Sequence, residues 1–381
     1  MAVVFHCLVQ ITKIMNKIPH QQNADIGVSQ INNLEDIFSL ISTLENEVSP
    51  CSFFSQSHWI KAWLRSIDEC PNAFVFSISG KAIGLALVGT RTFSSLLPFR
   101  EGFLNQTGLL DEDQIWVEYN EVYCNKEYKT QCTNALLQAF FKCPSNLRLT
   151  ISMVSDSSLW HTSIRNNVFK HSSKRVFGYK ANLDSWCDNR EEFNFISSNT
   201  RRHLARSLKT LNEYFGNIKF TFASRDQATT YFYELGKFHI KKWGPTNEGS
   251  GFNNPKFISH HLDFIENNWS NVDLIKVSAG NHLLGFVYNI IQESTVYFYC
   301  SGINHEVTHK HMKPGYTIHH QLMIHYKNNG YEWYDFLGGE NQYKKSLSDT
   351  SYSFELLTVY RSDLTFKISK MMKKIIGLLK F

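Results

Sequence analysis

Asp335, Glu340, Tyr343 and Lys344 fall within ten residues of one another, around the glycine pair Gly338-Gly339. Group transfer to an amine or hydroxyl needs a base to take a proton and donors to steady the oxyanion. Asp335 stands inside an aromatic and aliphatic run, so its carboxylate must reach the strand edge or find a partner. The alternative is structural: Asp335 caps a turn and Lys344 pairs with Glu340. Upstream lies a turn, Lys313-Pro314-Gly315-Tyr316, with Thr317 next. Proline just inside a helix start is favourable, and the amides and dipole of such a start suit a phosphate. An ordinary strand-to-helix turn reads the same way. His239 and Lys242, three apart on one helix face, precede Trp243 and the glycines Gly244, Gly249 and Gly251. A titratable histidine beside a glycine-rich loop is a possible base under a lid, or a structural histidine near a helix end. Arg202 and Arg206, with Lys209, make a basic stripe on a helix whose other face carries Leu204, Leu208 and Leu211. The stripe is a solvated face or a docking surface for a phosphate-bearing acceptor.

The elements that position these residues show an internal repeat. Phe74–Val88 and Leu274–Tyr288 lie 200 residues apart and each reads as a hairpin. Each has a glycine turn (Gly80; Gly280) and a second glycine in the returning strand (Gly84; Gly285). A helix and a strand follow each: Thr130–Cys143 with Leu147–Val154, then Tyr316–Asn328 with Tyr331–Leu337. Val176–Leu183 reads as the last strand of the first half, and Glu191–Tyr214 as a long helix or helix pair. Ile218–Ala223 reads as a strand and Asp226–Lys242 as a helix with Asp226 near its cap.

The resemblance rests on four segments. Pro314–Leu322 with Gly330–Lys344 resembles the C-terminal signature of the CelD-like (cellulose biosynthesis) branch of the GNAT acyltransferases, which is related to the Fem-type peptidyltransferases. Phe53–Ile67 resembles that branch's N-terminal helix, Asn199–Leu211 its Asn/Arg-rich helix, and Phe238–Leu262 its His/Trp/Gly segment. The resemblance implies an α/β fold with mixed sheets and two tandem GNAT-like domains. It implies acetyl-CoA or another acyl-CoA as co-substrate, with no metal, and direct attack by an amine or hydroxyl. The implied acceptor is a polysaccharide, cell-envelope or lipid-linked glycan precursor. On this reading Lys313, Gly315, Tyr316 and Thr317 hold the donor, and Asp335, His239 and Glu340 are catalytic. Lys242, Trp243, Arg202, Arg206, Tyr343 and Lys344 bind substrate. The usual fingerprint of a Gln or Arg followed by Gly-x-Gly/Ala is reduced here to Gly315, with Thr317 at the second small position. Two alternatives stay open: a Fem-like transferase using aminoacyl-tRNA, and a degenerate GNAT fold acting as an assembly factor.

The bulk numbers exclude other classes. The chain has 381 residues, 43% of them hydrophobic and 14% aromatic, which suits a packed globular protein. The net charge of +5 is local, because Lys367, Lys370, Lys373, Lys374 and Lys380 supply it all. The rest of the chain is balanced, so nothing in it suggests DNA binding. The eight cysteines include no C-x-x-C pair, as expected of reduced thiols in a cytoplasmic protein. His305, His309 and His311 lie together, but no other ligand set accompanies them. Ala2–Ile11 is apolar but lacks a signal peptide's charged start and cleavage site, and translation starts at Met1 or Met15. The expected division is an extension over 1–30, domains over 31–186 and 187–363, and a tail over 364–381. In the tail Ile368, Met371, Met372, Ile375, Ile376, Leu378 and Leu379 share one helical side and the lysines the other. That pattern fits a helix at an anionic inner membrane face, or one packed on the body.

Overall fold

A computed structural model describes residues 26–362 apart from 95–96 and 247–248, together with 364 and 367. The expectations for Ala2–Ile11, the start site and the tail helix fall outside the described residues.

Both hairpins form where glycine permits them. Strands β1 (Gly27–Ile31), β2 (Asn72–Ile78) and β3 (Lys81–Ser94) lie side by side, and Ser79 and Gly80 join the last two with φ of 51° and 82°. Two positive φ values in a row are what a type I′ hairpin needs. In the second half β10 (Ile218–Phe222), β11 (Val272–Ala279) and β12 (His282–Gln292) repeat the pattern, with Gly280 at φ 52° in the turn. Each hairpin carries a bulge opposite its inner glycine, after Phe76 facing Gly84 and after Val277 facing Gly285. The strand β1 begins within the segment expected to be an extension, 1–30, and ends at Ile31. Its exposed residues carry no apolar alternation that marks a strand.

The remaining strands are β4 (Leu97–Leu104), β5 (Tyr123–Cys124), β6 (Asn146–Val154), β7 (Lys170–Asn182), β8 (Trp186–Cys187), β9 (Glu192–Phe193), β13 (Thr295–Ile303), β14 (Trp333–Gly338) and β15 (Thr350–Tyr360). The main sheet runs β1-β2-β3-β4-β6-β15-β7-β14-β13-β12-β11-β10, with β5 beside β3. Among the described residues only β4/β6 and β13/β14 pair in parallel. Reading outward from the central β15/β7 pair, the two sides match strand for strand. The last strand of each repeat is exchanged: β7 lies against β14, and β15 lies against β6. Among the described residues the ten helices are α1 (Leu34–Leu44), α2 (Ser57–Ser66), α3 (Leu110–Asp113), α4 (Lys129–Lys142), α5 (Ser157–Asn166), α6 (Ser198–Tyr214), α7 (Arg225–Trp243), α8 (Pro255–Asn267), α9 (Pro314–Asn328) and α10 (Gln342–Ser346).

Three apolar clusters fill the layers. One spans both repeats, joining α1 and α2 to α7 and α8 through Trp59, Phe232, Phe257 and Phe264. A second lies under α6 and α9, and a third under α4 and α5. The result is the mixed α/β fold expected, with helices on both sheet faces. The helix expected from Glu191 starts only at Ser198. Glu192–Phe193 pairs with Trp186–Cys187, and Ser197 caps Thr200 N–H. Likewise Ser224, in a capping box with Gln227, starts α7 instead of Asp226. No described helix is long and apolar enough to cross a membrane.

Candidate active site

The parallel strands β13 and β14 pair only from Thr295–Trp333 to Tyr297–Asp335. Beyond that point β13 follows β12 and β14 follows β7, so a wedge opens between Phe298 and Phe336. At its apex is a cavity of about 160 Å³ lined by Phe54, Trp116, Glu118, Phe298, Tyr299, Phe336, Leu337, Gly338 and Lys344. The first repeat supplies Phe54, Trp116 and Glu118.

Two charged groups bracket one residue, Gly338, there. Gly338 N–H donates to Glu118 Oε2 at 2.8 Å, and Lys344 Nζ donates to Gly338 O at 2.6 Å. Burial pushes Glu118 up to about 7; the Lys344 ammonium opposes that rise and the Asp335 carboxylate adds to it. Burial likewise lowers Lys344. His319, on α9, stacks on Tyr343 with ring centroids 5.2 Å apart, and its Nδ1 meets Tyr334 Oη at 3.1 Å. Burial, then Lys344 and Lys242, hold it down to about 3, so it is neutral at physiological pH.

Asp335 lies beside this cavity without opening on it. It is 2% exposed and accepts from Tyr119 Oη and Tyr352 Oη, both at 2.6 Å, and from Leu337 N–H at 2.8 Å. Burial raises its pKa against those donors. His239 lies away from the cavity lining, with Nδ1 2.8 Å from Ser250 Oγ and its ring against Phe252 and Trp243. Burial, then Lys242, depresses it to about 4. Glu340 is in an exposed ion pair with Lys345 at 2.7 Å, so the pairing expected of Lys344 belongs to its neighbour. Tyr343 packs on His319 and Phe336. Lys242 stands over the Trp243 ring at the end of α7. Arg202 and Arg206 are exposed on α6, and among the described residues neither has an ion-pair partner.

The turn at Lys313 opens α9 with Pro314 in its first turn and no side-chain cap. The amides of Gly315 and Tyr316 have no partner among the described residues, as the first turn of a helix leaves them. A Cβ at Gly315 would meet only Ile303 Cγ1, at 3.8 Å, so the fold itself does not demand glycine there. Lys313 N–H and the Thr317 hydroxyl turn to Ser207 Oγ, at 2.9 and 2.7 Å. Thr317 also faces a separate hollow of about 650 Å³ with Trp186, Glu192, Arg201 and His320. Among the described residues no three His, Cys, Asp or Glu side chains gather as a metal site.

Residues 198–345 match the family model described as an acetyltransferase (GNAT) domain. No curated protein matches the sequence. Among solved structures, FemX is similar over 89% of this chain and 98% of its own, at 11% identity and a TM-score of 0.55. The C-terminal domain of a putative lysylphosphatidylglycerol synthetase from Agrobacterium fabrum covers 90% of this chain and 97% of its own, at 9% identity and a TM-score of 0.52. The L-PGS structure from Bacillus licheniformis covers 88% and 95%, at 9% identity and a TM-score of 0.52. At such identities the likeness is one of fold. The stretch that carries the wedge between β13 and β14 and the uncapped helix beside it is thus the stretch similar to an acetyltransferase (GNAT) domain, which supports an acyltransferase.

Proposed function

We propose that the chain moves an acyl group, acetyl in the first instance, from acyl-CoA to an amine or hydroxyl of a glycan or cell-envelope precursor, as in the CelD-like branch. The observation that carries this reading is the parting of β13 from β14 after Tyr297 and Asp335, next to an uncapped helix start. A pyrophosphate at the amides of Gly315 and Tyr316, near Lys313, would leave the thioester arm to run into the wedge. There the acceptor attacks the acyl carbon directly, the C–S bond breaks, and the Lys344 ammonium offsets charge on the carbonyl oxygen. On this reading the chemistry belongs to residues 187–363, and 31–186 close the cleft from the other side.

The test is donor binding. Acetyl-CoA should raise the melting temperature, since a ligand of the folded state alone stabilises it. Gly315→Val should weaken that shift by placing a side chain against the pyrophosphate. No shift with any of several acyl-CoAs at millimolar concentration would overturn the donor assignment. The likeness to FemX favours a second reading, an aminoacyl transferase using aminoacyl-tRNA, with Arg202 and Arg206 as its phosphate contacts. Binding of tRNA without any response to acyl-CoA would select it.

A further inference from the structure

We propose that Glu118, lent by the first repeat, is the acid–base residue of the second repeat's cleft, and that Asp335 is the clamp that positions it. The inference rests on the acyl-transfer reading above. Of Glu118, Asp335 and Glu340, it is Glu118 that lines the cavity. Its Oε2 accepts from Gly338 N–H, while Oε1 makes no hydrogen bond to a described residue and is not sealed in. Asp335 has both oxygens engaged and buried, and Glu340 is tied to Lys345 outside the cleft. Among the described residues no cation lies within ion-pair distance of Glu118, so its charge is not already committed.

The backbone around Glu118 is bent at both ends. Trp116 and Tyr119 have φ of 46° and 51°, a region bulky residues rarely enter, and Leu337 facing them has φ of 62°. Such conformations persist where surrounding structure over-determines them, and they gather at active sites. Here Asp335 does the over-determining. It holds Tyr119, one residue after Glu118, and Leu337, one residue before Gly338. The two partners of the Glu118–Gly338 hydrogen bond are thus each fixed one residue away by a single buried carboxylate. Tyr352 on the exchanged strand β15 completes the clamp.

The step balances. The acceptor's lone pair forms the new bond to the acyl carbon. Its N–H or O–H proton passes to Glu118 Oε1, the C–S bond breaks, and the thiolate leaves with that proton. A carboxyl held near neutrality by burial can both take and return a proton at physiological pH.

The experiment uses the full chain with 13C-labelled glutamate, acetyl-CoA as donor and glucosamine as acceptor probe. One glutamate carboxyl should titrate well above the ordinary range and vanish in Glu118→Gln. Asp335→Asn should lower that midpoint, because it removes a neighbouring negative charge; Tyr119→Phe should move it while leaving the charge in place. Loss of the fold alone would not produce a shift in that direction with an otherwise native spectrum. Glu118→Gln should bind acetyl-CoA within about twofold of wild type, and release thiol with glucosamine about a hundredfold more slowly, with the rise of rate through neutral pH gone. If acetyl-CoA does not bind the wild type, the acyl-transfer reading fails. If it binds and every glutamate titrates below about pH 5.5, or Glu118→Gln keeps the wild-type rate and pH profile, Glu118 is not the acid–base residue.

Discussion

In the first repeat the parallel strands β4 and β6 stay paired from Arg100–Asn146 to Phe103–Thr150, and polar side chains fill the space beyond. Asn120 donates to Leu104 O at 3.0 Å and takes Met153 O on its backbone N–H; Ser152 donates to Gln106, and Asn105 to Asn120. The equivalent helix α4 also starts without a side-chain cap, and beside its start Lys129 pairs with Glu121, which also accepts from Cys51 N–H at 3.2 Å. In the second repeat the matching strands part after Tyr297 and Asp335, and the gap stays open as a cavity. One unit, used twice, has thus closed its own cleft in one copy. The segment that closes it, from Trp116 to Asn120, also reaches across and walls the other copy's cleft with Trp116 and Glu118. Buried polar groups must find partners, and a repeat that fills its cleft with amides has no room left for a ligand. What it gains is a rigid arm for its neighbour.

The exchanged strands make the comparison breakable by the largest effect. Separating the chain between residues 186 and 187 leaves β14 without β7 and β15 without β6. Each half would then bare a long strand edge, which is an aggregation hazard. Neither 26–186 nor 187–362 is expected to give a folded monomer alone, whereas coexpression of the two should restore a stable complex. A cooperative melt of either half by itself would show the exchange to be dispensable.

The second break is in acid. Burial holds His239 at about 4, His260 and His319 at about 3, and His261 well below its ordinary value; all four belong to the second repeat. Unfolded histidine titrates near 6.5, so the unfolded chain binds protons that the fold refuses. Their contribution is present in full above about pH 6.5 and is lost as pH falls toward 4 and then 3, by about 1.4 kcal/mol per pH unit for each group. Glu118 runs the other way: its raised pKa stabilises below about 4.5 and that contribution fades as pH rises through about 7. Urea midpoints from pH 7 to 5 should therefore fall steeply in the wild type and less steeply in His319→Gln. A midpoint flat over that range would mean the histidines are already protonated in the fold.

The hairpins, both helix–strand pairs and the mixed α/β class were legible because periodicity and glycine placement report local structure directly. Strand partners were not. Val176–Leu183 reads correctly as a strand, yet nothing in its alternation says that β14 lies on one side of it and β15 on the other. At the site, the aromatic run around Asp335 announced a carboxylate in need of partners, and Tyr119 and Tyr352 are those partners. The same cue stands at Trp116-Val117-Glu118-Tyr119, but no glycine turn or helix signal accompanies it to mark a site. Residues that act through long-range approach leave little trace in spacing.

The smallest effect tests whether the two copies still share one backbone plan. A Cβ at Gly84 would sit 2.2 Å from Cys124 Cβ, and one at Gly285 would sit 2.2 Å from Gly302 O, with Gly285 at φ 141°. Neither neighbour is the free end of a flexible side chain, so strand and partner must move apart at a bulge that sets the twist of the hairpin. Gly84→Ala and Gly285→Ala should each cost on the order of 2–4 kcal/mol by urea titration, with Gly285→Ala the worse of the pair because its conformation is closed to other residues. Gly315→Ala is the matched control. Its new methyl meets nothing closer than 3.8 Å, and alanine suits a first helical turn better than glycine, so stability should hold or rise by a few tenths of a kcal/mol. If Gly315→Ala destabilises as much as the other two, glycine there serves the fold and not a ligand. If Gly84→Ala is tolerated while Gly285→Ala is not, the first repeat has relaxed its hairpin as well as its cleft.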